Sequence, residues 1–285
     1  MISSQFKKYQ LKKFGAIIGF SPERVLYLID NVDAFYREWF EKKFDKKKND
    51  FKKYKDGTIK QRVIRPSSSD LKLAQHRIKN RILTPIQLPK NVHGGVKGCS
   101  NITNAKPHQG NKYVLTTDLQ DFYPSITSQM VYDTFLKFGY SNHFAGYLCK
   151  LTTWKHSLPQ GTPTSTHISN VVFLQTDYEL INFCNLHNIT YTRYIDDLTF
   201  SCQQDFQHLI QEILNLVINS GFKISYRKTK YSGNQNITGI DVFLNKIDAP
   251  QIIKEKAELE IDSPFKPITN YLNNIRKTNK DKGYR

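Results

Sequence analysis

The sequence predicts an α+β fold. Strand-like and helix-like segments are mixed but do not alternate regularly, which argues against a doubly wound parallel sheet. The chain has 285 residues, 39% hydrophobic and 13% aromatic, enough for one to two domains with sizeable cores. No stretch approaches the ~18 consecutive apolar residues of a membrane span.

The elements follow from periodicity and punctuation. The opening MISSQFKKYQLKKFGAIIGF lacks a long apolar run and a small-residue cleavage site, so no signal peptide is expected. Ser21-Pro22-Glu23 opens a helix: Ser caps, Pro suits the first turn, and Glu favours the positive N-terminal end. Val25, Leu26, Ile29, Val32, Phe35 and Trp39 predict that it runs to about Phe40. Lys42 to Lys55 carries eight lysines and reads as solvated surface or loop. Asp56-Gly57 supplies a hairpin turn. The expected strand after it, Gln61 to Arg65, puts Arg62 and Arg65 on opposite faces. A helix is expected from Asp70 to Leu83, with Leu71, Leu73, Ala74, Ile78 and Ile82 inward, and His93 to Gly98 is a glycine-shaped loop.

Lys112 to Asp118 reads as a strand, with Val114, Thr116 and Asp118 on one face. Helices are expected at about Thr127–Gly139, Asn142–Thr152 and Thr164–Phe183. Asn188–Tyr194 and Leu198–Cys202 predict a hairpin joined by Ile195-Asp196-Asp197. Phe206 to Ser220 is an amphipathic helix stopped by Gly221. Phe222–Ser225 and Ile237–Leu244 are expected strands. Ile268, Tyr271, Leu272 and Ile275 fall at helical spacing beside Lys266, Arg276 and Lys277, and the polar end from about Asn279 is expected to fray.

Lys and Arg outnumber Asp and Glu by 42 to 25, a net charge of +17. Such an excess repels itself in a compact state, so a polyanionic partner is expected. Sixteen Tyr and 18 Phe supply flat faces for unpaired bases or sugars. Cys99, Cys149, Cys184 and Cys202 are scattered without a CxxC, which suits reduced cytoplasmic thiols rather than a disulfide frame or a zinc site.

The sharpest local signal is Tyr194-Ile195-Asp196-Asp197. Adjacent carboxylates between half-buried strands repel each other and lose hydration on folding. A divalent cation would remove that cost, although Asp-Asp in a turn is by itself common turn chemistry. Asp118, at the end of its strand, is the natural third ligand. Hard cations take such oxygen ligands and retain water and substrate phosphates. Two of them ~4 Å apart activate a hydroxyl and stabilise a leaving pyrophosphate.

Three segments in order, Asp118-Leu119-Gln120-Asp121-Phe122-Tyr123, Leu158-Pro159-Gln160-Gly161 and the Tyr194–Asp197 hairpin, resemble the palm of reverse transcriptases. Asn104-Ala105-Lys106-Pro107-His108 is similar to the Asn-Ala-x-x-His element of retron reverse transcriptases, and Ile237-Thr238-Gly239 to their Val-Thr-Gly. His93 to Gly98 and Tyr191-Thr192-Arg193-Tyr194 are also retron-like, so the match covers roughly Lys55 to Leu244. Ile195 stands where Ala is usual, Ile237 where Val is, and the segment after Leu244 is short for a thumb.

The resemblance implies a right-hand polymerase with fingers, an antiparallel palm and a short thumb. The expected boundaries are an N-terminal helical region at 1–50, fingers at 51–112, palm at 113–245 and thumb at 246–285. It implies that Asp118, Asp196 and Asp197 hold two Mg²⁺, or Mn²⁺, with the Leu119 carbonyl as an extra oxygen. A 3′-hydroxyl would then attack the α-phosphate of a deoxynucleotide. Lys60 and Arg62 correspond to triphosphate-holding finger residues, Tyr123 to the steric gate that excludes a 2′-hydroxyl, and Gln160 and Gly161 to contacts with the incoming nucleotide. Each also has a plainer role, as an exposed base, a core aromatic or a helix-entry turn. Asn104, His108, Thr238 and Gly239 are assigned to RNA contact or to scaffolding. The C-terminal stripe reads either as a thumb helix along the duplex or as a helix packed on the palm.

The retron type further implies a cognate structured non-coding RNA as template. Priming from a guanosine 2′-hydroxyl would leave a branched RNA–DNA product. The resemblance also implies a setting in bacterial antiphage defence in the cytoplasm, with a separate effector protein. The alternatives are another defence-associated or group II intron-like reverse transcriptase, and a catalytically silent RNA-binding scaffold.

Overall fold

The computed structural model describes residues 2–45, 50–54, 56–233 and 235–279. Residues 46–49 and 55 of the lysine run, and the tail beyond 279, lie outside the described residues. In chain order the elements are α1 (Ile2–Ile18), α2 (Pro22–Asp30), β1 (Trp39–Lys42), β2 (Phe44–Asp45), β3 (Asp50–Phe51), β4 (Gln61–Ile64), α3 (Ser69–Ile78), α4 (Asn101–Ala105), β5 (Tyr113–Asp118), α5 (Phe122–Ser125), α6 (Ser128–Lys137), α7 (Asn142–Thr152) and α8 (Ser165–Leu186). There follow β6 (Thr190–Tyr194), β7 (Asp197–Cys202), α9 (Ile210–Asn219), β8 (Lys230–Ser232), β9 (Gln235–Ile237), β10 (Ile240–Val242), β11 (Ile247–Asp248), α10 (Gln251–Glu258) and α11 (Pro267–Lys277). The α+β class is as expected. The chain forms two compact units. One takes in the chain up to Leu88 and Asp121–Phe173; the other takes in Pro89–Gln120 and the chain from Leu174 onward.

The first unit has a helical core. Leu11, Phe14 and Ile18 of α1 are buried along with Val25 and Leu28 of α2, Leu71, Ala74 and Ile78 of α3, and Phe144, Leu148 and Leu151 of α7. Phe14 and Phe144 meet edge to face at 5.0 Å. Inside it, Gln75 Nε2 donates to the Tyr36 hydroxyl at 3.0 Å and the Leu151 carbonyl at 2.8 Å, so a buried amide is satisfied. Ser21 caps α2 as expected, accepting from Arg24 N at 3.2 Å. The helix does not reach Phe40, however. It stops at Asp30, a 3₁₀ turn spans Val32–Phe35, and Trp39 opens β1 opposite Ile64 of β4. Pairing with a strand some twenty residues away overrides the local helical spacing. Helix α1 lies in the N-terminal region expected to be helical, although the sequence places no particular helix before Ser21, and Leu73 of α3 faces solvent rather than the core.

The second unit is built on an antiparallel sheet of order β6-β7-β5-β8. Phe222–Ser225 is not a strand; it makes a single bridge, Leu119 to Ile224, and β8 takes the edge instead. The strand expected at Ile237–Leu244 is folded into the β9–β10 hairpin, because Thr238 and Gly239 have φ of +47° and +87° and turn the chain back. A second sheet of order β11-β10-β9 shares a core with α4 and the C-terminal helices. Ile102, Ile237, Ile240, Val242, Ile247, Leu272 and Ile275 are buried together there. The stripe on α11 is therefore packed into this core, with Leu272 and Ile275 buried and Ile268 and Tyr271 partly so.

Candidate active site

Register brings the acidic residues together. Strand β5 ends at Asp118 and β7 begins at Asp197, and these two residues are direct cross-strand partners. The Leu119 N–H donates to the Asp196 carbonyl at 2.9 Å, which ties the acidic turn to the end of β5. Residues 78 positions apart in the chain, 196 − 118, thus share one sheet end. Asp118 is buried, and its Oδ2 accepts from Lys228 Nζ at 2.7 Å. Its carbonyl accepts from Ser225 N at 2.8 Å, which brings the segment carrying Lys228 to the site.

Burial pushes the Asp197 carboxyl up to about 7, helped by the negative charges of Asp196 and Asp118 and opposed by Lys228. A carboxyl raised in this way keeps a proton in the folded chain that the unfolded chain has released. The cost of folding it therefore grows as pH rises from its ordinary range through about 7. The site is short of positive charge. Its donors are hard carboxylate oxygens, the set that Mg²⁺ or Mn²⁺ takes. Among the described residues no three His, Cys, Asp or Glu side chains close around a metal position. The ammonium of Lys228 lies on Asp118 instead.

The residues read as nucleotide contacts belong to the other unit. Arg62 is exposed and pairs with Glu41 across the β1–β4 ribbon at 2.7 Å, and Lys60 Nζ lies 5.0 Å from the centre of the Tyr54 ring. The Tyr123 hydroxyl is 3.1 Å from Thr166 Oγ1. The Gln160 carbonyl accepts from Arg65 N at 2.7 Å, which docks the Pro-Gln-Gly turn on the end of β4. Gly161 has φ +104°, a conformation that side chains other than glycine's rarely adopt.

Residues 45–242 match the family described as reverse transcriptase (RNA-dependent DNA polymerase). The chain belongs to the reverse transcriptase family. It is 31% identical over 192 residues to the retron Ec86 reverse transcriptase of Escherichia coli, covering 65% of this chain and 60% of that one. It is 32% identical over 206 residues to the retron Mx65 reverse transcriptase of Myxococcus xanthus, covering 64% and 48%. With the retron Ec73 reverse transcriptase of Escherichia coli the identity is 29% over 277 residues, covering 86% and 85%. The chain thus spans about half to three-fifths of the length of the first two relatives. The retron-type resemblance read from the motifs is borne out.

In this reverse transcriptase chain Asn104, Ala105 and His108 of the Asn-Ala-x-x-His element are buried. The His108 ring bridges two paired strands, with Nδ1 2.7 Å from Ser201 Oγ of β7 and Nε2 2.7 Å from Thr192 Oγ1 of β6. Burial drives its pKa down to about 3, with a smaller push from His93, so the ring is neutral. Asn104 Nδ2 donates to Thr238 Oγ1 at 3.2 Å, and Asn101 Nδ2 to the Thr238 carbonyl at 3.1 Å. Asn104 and His108 are thus buried, while Gly239 at the tip of the hairpin is exposed.

Sequence reasoning did not single out Lys228 or Arg193. In a chain with 42 Lys and Arg, one more lysine carries no signal. Arg193 did leave a trace, as a lone charge inside a strand of Tyr and Thr residues.

Proposed function

We propose that the chain is an RNA-directed DNA polymerase of retron type. It copies part of a cognate structured non-coding RNA into single-stranded DNA, primed from a guanosine 2′-hydroxyl, in the cytoplasm of a bacterium under phage attack. The observation that supports this is the pairing of Asp118 with Asp197 at one sheet end, with Asp196 on the turn between β6 and β7. Asp118, Asp196 and Asp197 would hold two divalent ions, with the Leu119 carbonyl as a further oxygen. Bound there, the ions supply charge neutralisation for phosphoryl transfer. The chain's own part is to bind and orient.

Arg62 and Lys60 contact the triphosphate, as fork and point charge respectively. Tyr123 excludes a 2′-hydroxyl, and Gln160 and Gly161 contact the nucleotide. Thr238 and Gly239, on the turn held by Asn101 and Asn104, contact the RNA, and His108 is scaffold. Fingers take in 51–112, palm 113–245 and thumb 246–285, after an N-terminal region at 1–50. The partners are the RNA, its DNA product, deoxynucleotides and a separate effector protein. Among the described residues no helix is long and apolar enough to cross a membrane.

Labelled deoxynucleotide incorporation tests the polymerase. The wild type is expected to extend on its RNA, and the Asp196→Asn, Asp197→Asn double variant to lose essentially all signal. Equal signals would leave only an RNA-binding scaffold. Sequencing the nucleic acid that copurifies tests the retron type. Branched single-stranded DNA joined to one RNA is expected, and unbranched complementary DNA would point to an intron-like enzyme.

A further inference from the structure

We propose that Arg193, anchored by Asp177, is a positioning residue that locks the left-handed turn at Ile195 and so fixes where Asp196 and Asp197 point. The proposal rests on the polymerase function above, because it concerns the same acidic turn.

The turn is demanding for its residue type. Ile195 has φ +61°. A β-branched side chain crowds its own backbone there, and such a conformation persists only where the surroundings over-determine it. Three contacts do so. Arg193 Nη1 donates to the Ile195 carbonyl at 2.9 Å. The Leu119 N–H donates to the Asp196 carbonyl at 2.9 Å. The third comes from the loop before α4, where Val92 bridges to Arg193 in parallel. There the His93 N–H donates to the Arg193 carbonyl, and the Arg193 N–H to the Asn91 carbonyl, each at 2.8 Å. This seats Gly94 against the turn. A Cβ on Gly94 would lie 2.3 Å from Ile195 N and 2.5 Å from Ile195 Cγ1, so no larger residue fits without moving the acidic turn.

Arg193 is itself held rigidly. Nε donates to Asp177 Oδ1 at 2.8 Å and Nη2 to Oδ2 at 2.6 Å, with both side chains fully buried. The Tyr191 hydroxyl donates to the same Asp177 Oδ1 at 2.8 Å. The two-pronged contact fixes the guanidinium plane and directs Nη1 to Ile195. A buried ion pair is a poor source of net stability, since apolar residues of similar volume often do as well. A fixed fork one peptide away from two metal-binding carboxylates gains its value from geometry. Lysine would keep the charge but not the fork.

The test is Arg193→Lys, read by Mn²⁺ titration of the metal-free protein with electron paramagnetic resonance, together with steady-state kinetics. Residues that orient metal ligands are worth about 10- to 100-fold in affinity or activity. Mn²⁺ affinity and kcat are each expected to fall by about tenfold or more, with KM for the deoxynucleotide within about twofold. Adding Ile195→Gly, which relaxes the left-handed strain, is expected to restore part of the Mn²⁺ affinity, a non-additive pair. A lower melting temperature with unchanged Mn²⁺ affinity and kcat per folded molecule would overturn the proposal. If Arg193→Lys does not fold, Asp177→Asn takes its place: weaker Mn²⁺ binding supports the proposal and unchanged binding overturns it. Should the wild type fail to polymerise, the Mn²⁺ titration still decides, so the two ideas fail separately.

Discussion

His108 is buried with both ring nitrogens facing hydroxyls, one on β6 and one on β7. Its pKa of about 3 against an unfolded value of 6.5 makes it a group whose folded form resists protonation. The unfolded chain binds a proton between those values that the folded chain does not, so stability is lost as pH falls below about 6.5. At pH 5 the loss is on the order of 2 kcal/mol, from ~1.4 kcal/mol per pH unit. Urea unfolding at pH 7 and pH 5 checks this. His108→Gln, which cannot titrate, is expected to lack that part of the pH dependence, and an equal drop in both proteins would move the effect elsewhere. Residue roles were unevenly legible in the sequence. The carboxylates were legible because the Asp118 segment, the Pro-Gln-Gly segment and the Asp-Asp hairpin stand in the order of a reverse transcriptase palm, whereas the acidic pair alone reads equally as turn chemistry. The Lys228–Asp118 pair was not, because it depends on the single bridge that carries the segment after Gly221 to the end of β5.

Elements were legible where local periodicity and punctuation agree. Asn142–Thr152 is α7 residue for residue, and β6, β7 and α9 fall within a few positions of expectation. The misses have non-local causes. Trp39 continued a helical stripe but pairs with Ile64, and Lys230–Ser232 has too little apolar alternation to announce an edge strand. Thr238-Gly239 lay within an apolar run that read as one strand, and only their left-handed backbone makes the run a hairpin. The Pro-Gln-Gly turn gives a prediction at this scale. Gly161 has φ +104°, and an added Cβ would sit 3.1 Å from Ile64 Cγ2, so strain and crowding act together. Gly161→Ala is expected to cost about 1–3 kcal/mol. Gly57→Ala, at φ +84° with open space among the described residues, carries the backbone cost alone. Urea midpoints at unchanged slope measure both; equal losses would show that the docking on β4 does not matter.

For the molecule as a whole the governing quantity is charge. A surplus of 17 positive charges is unfavourable for a compact chain unless a polyanion shares the cost. Part of that surplus sits on α1, where Lys7, Lys8, Lys12 and Lys13 are exposed while Leu11, Phe14 and Ile18 face inward. Phosphate neutralisation releases condensed counterions, so log affinity for a single strand falls with log salt at a slope of about −0.7 per contact. A chain engaging ~6–10 phosphates is expected to lose about 300-fold to 10⁴-fold in RNA affinity between ~50 and ~200 mM salt. Replacing the four α1 lysines by Gln makes the contribution of that helix measurable. If all four meet phosphate, the slope becomes shallower by about 3, with little change in melting temperature, since none of them is buried. Filter binding of the cognate RNA over a salt series gives both slopes. A wild-type slope near zero would mean that the basic surplus serves solubility rather than RNA. An unchanged slope in the variant would place the phosphate contacts away from α1.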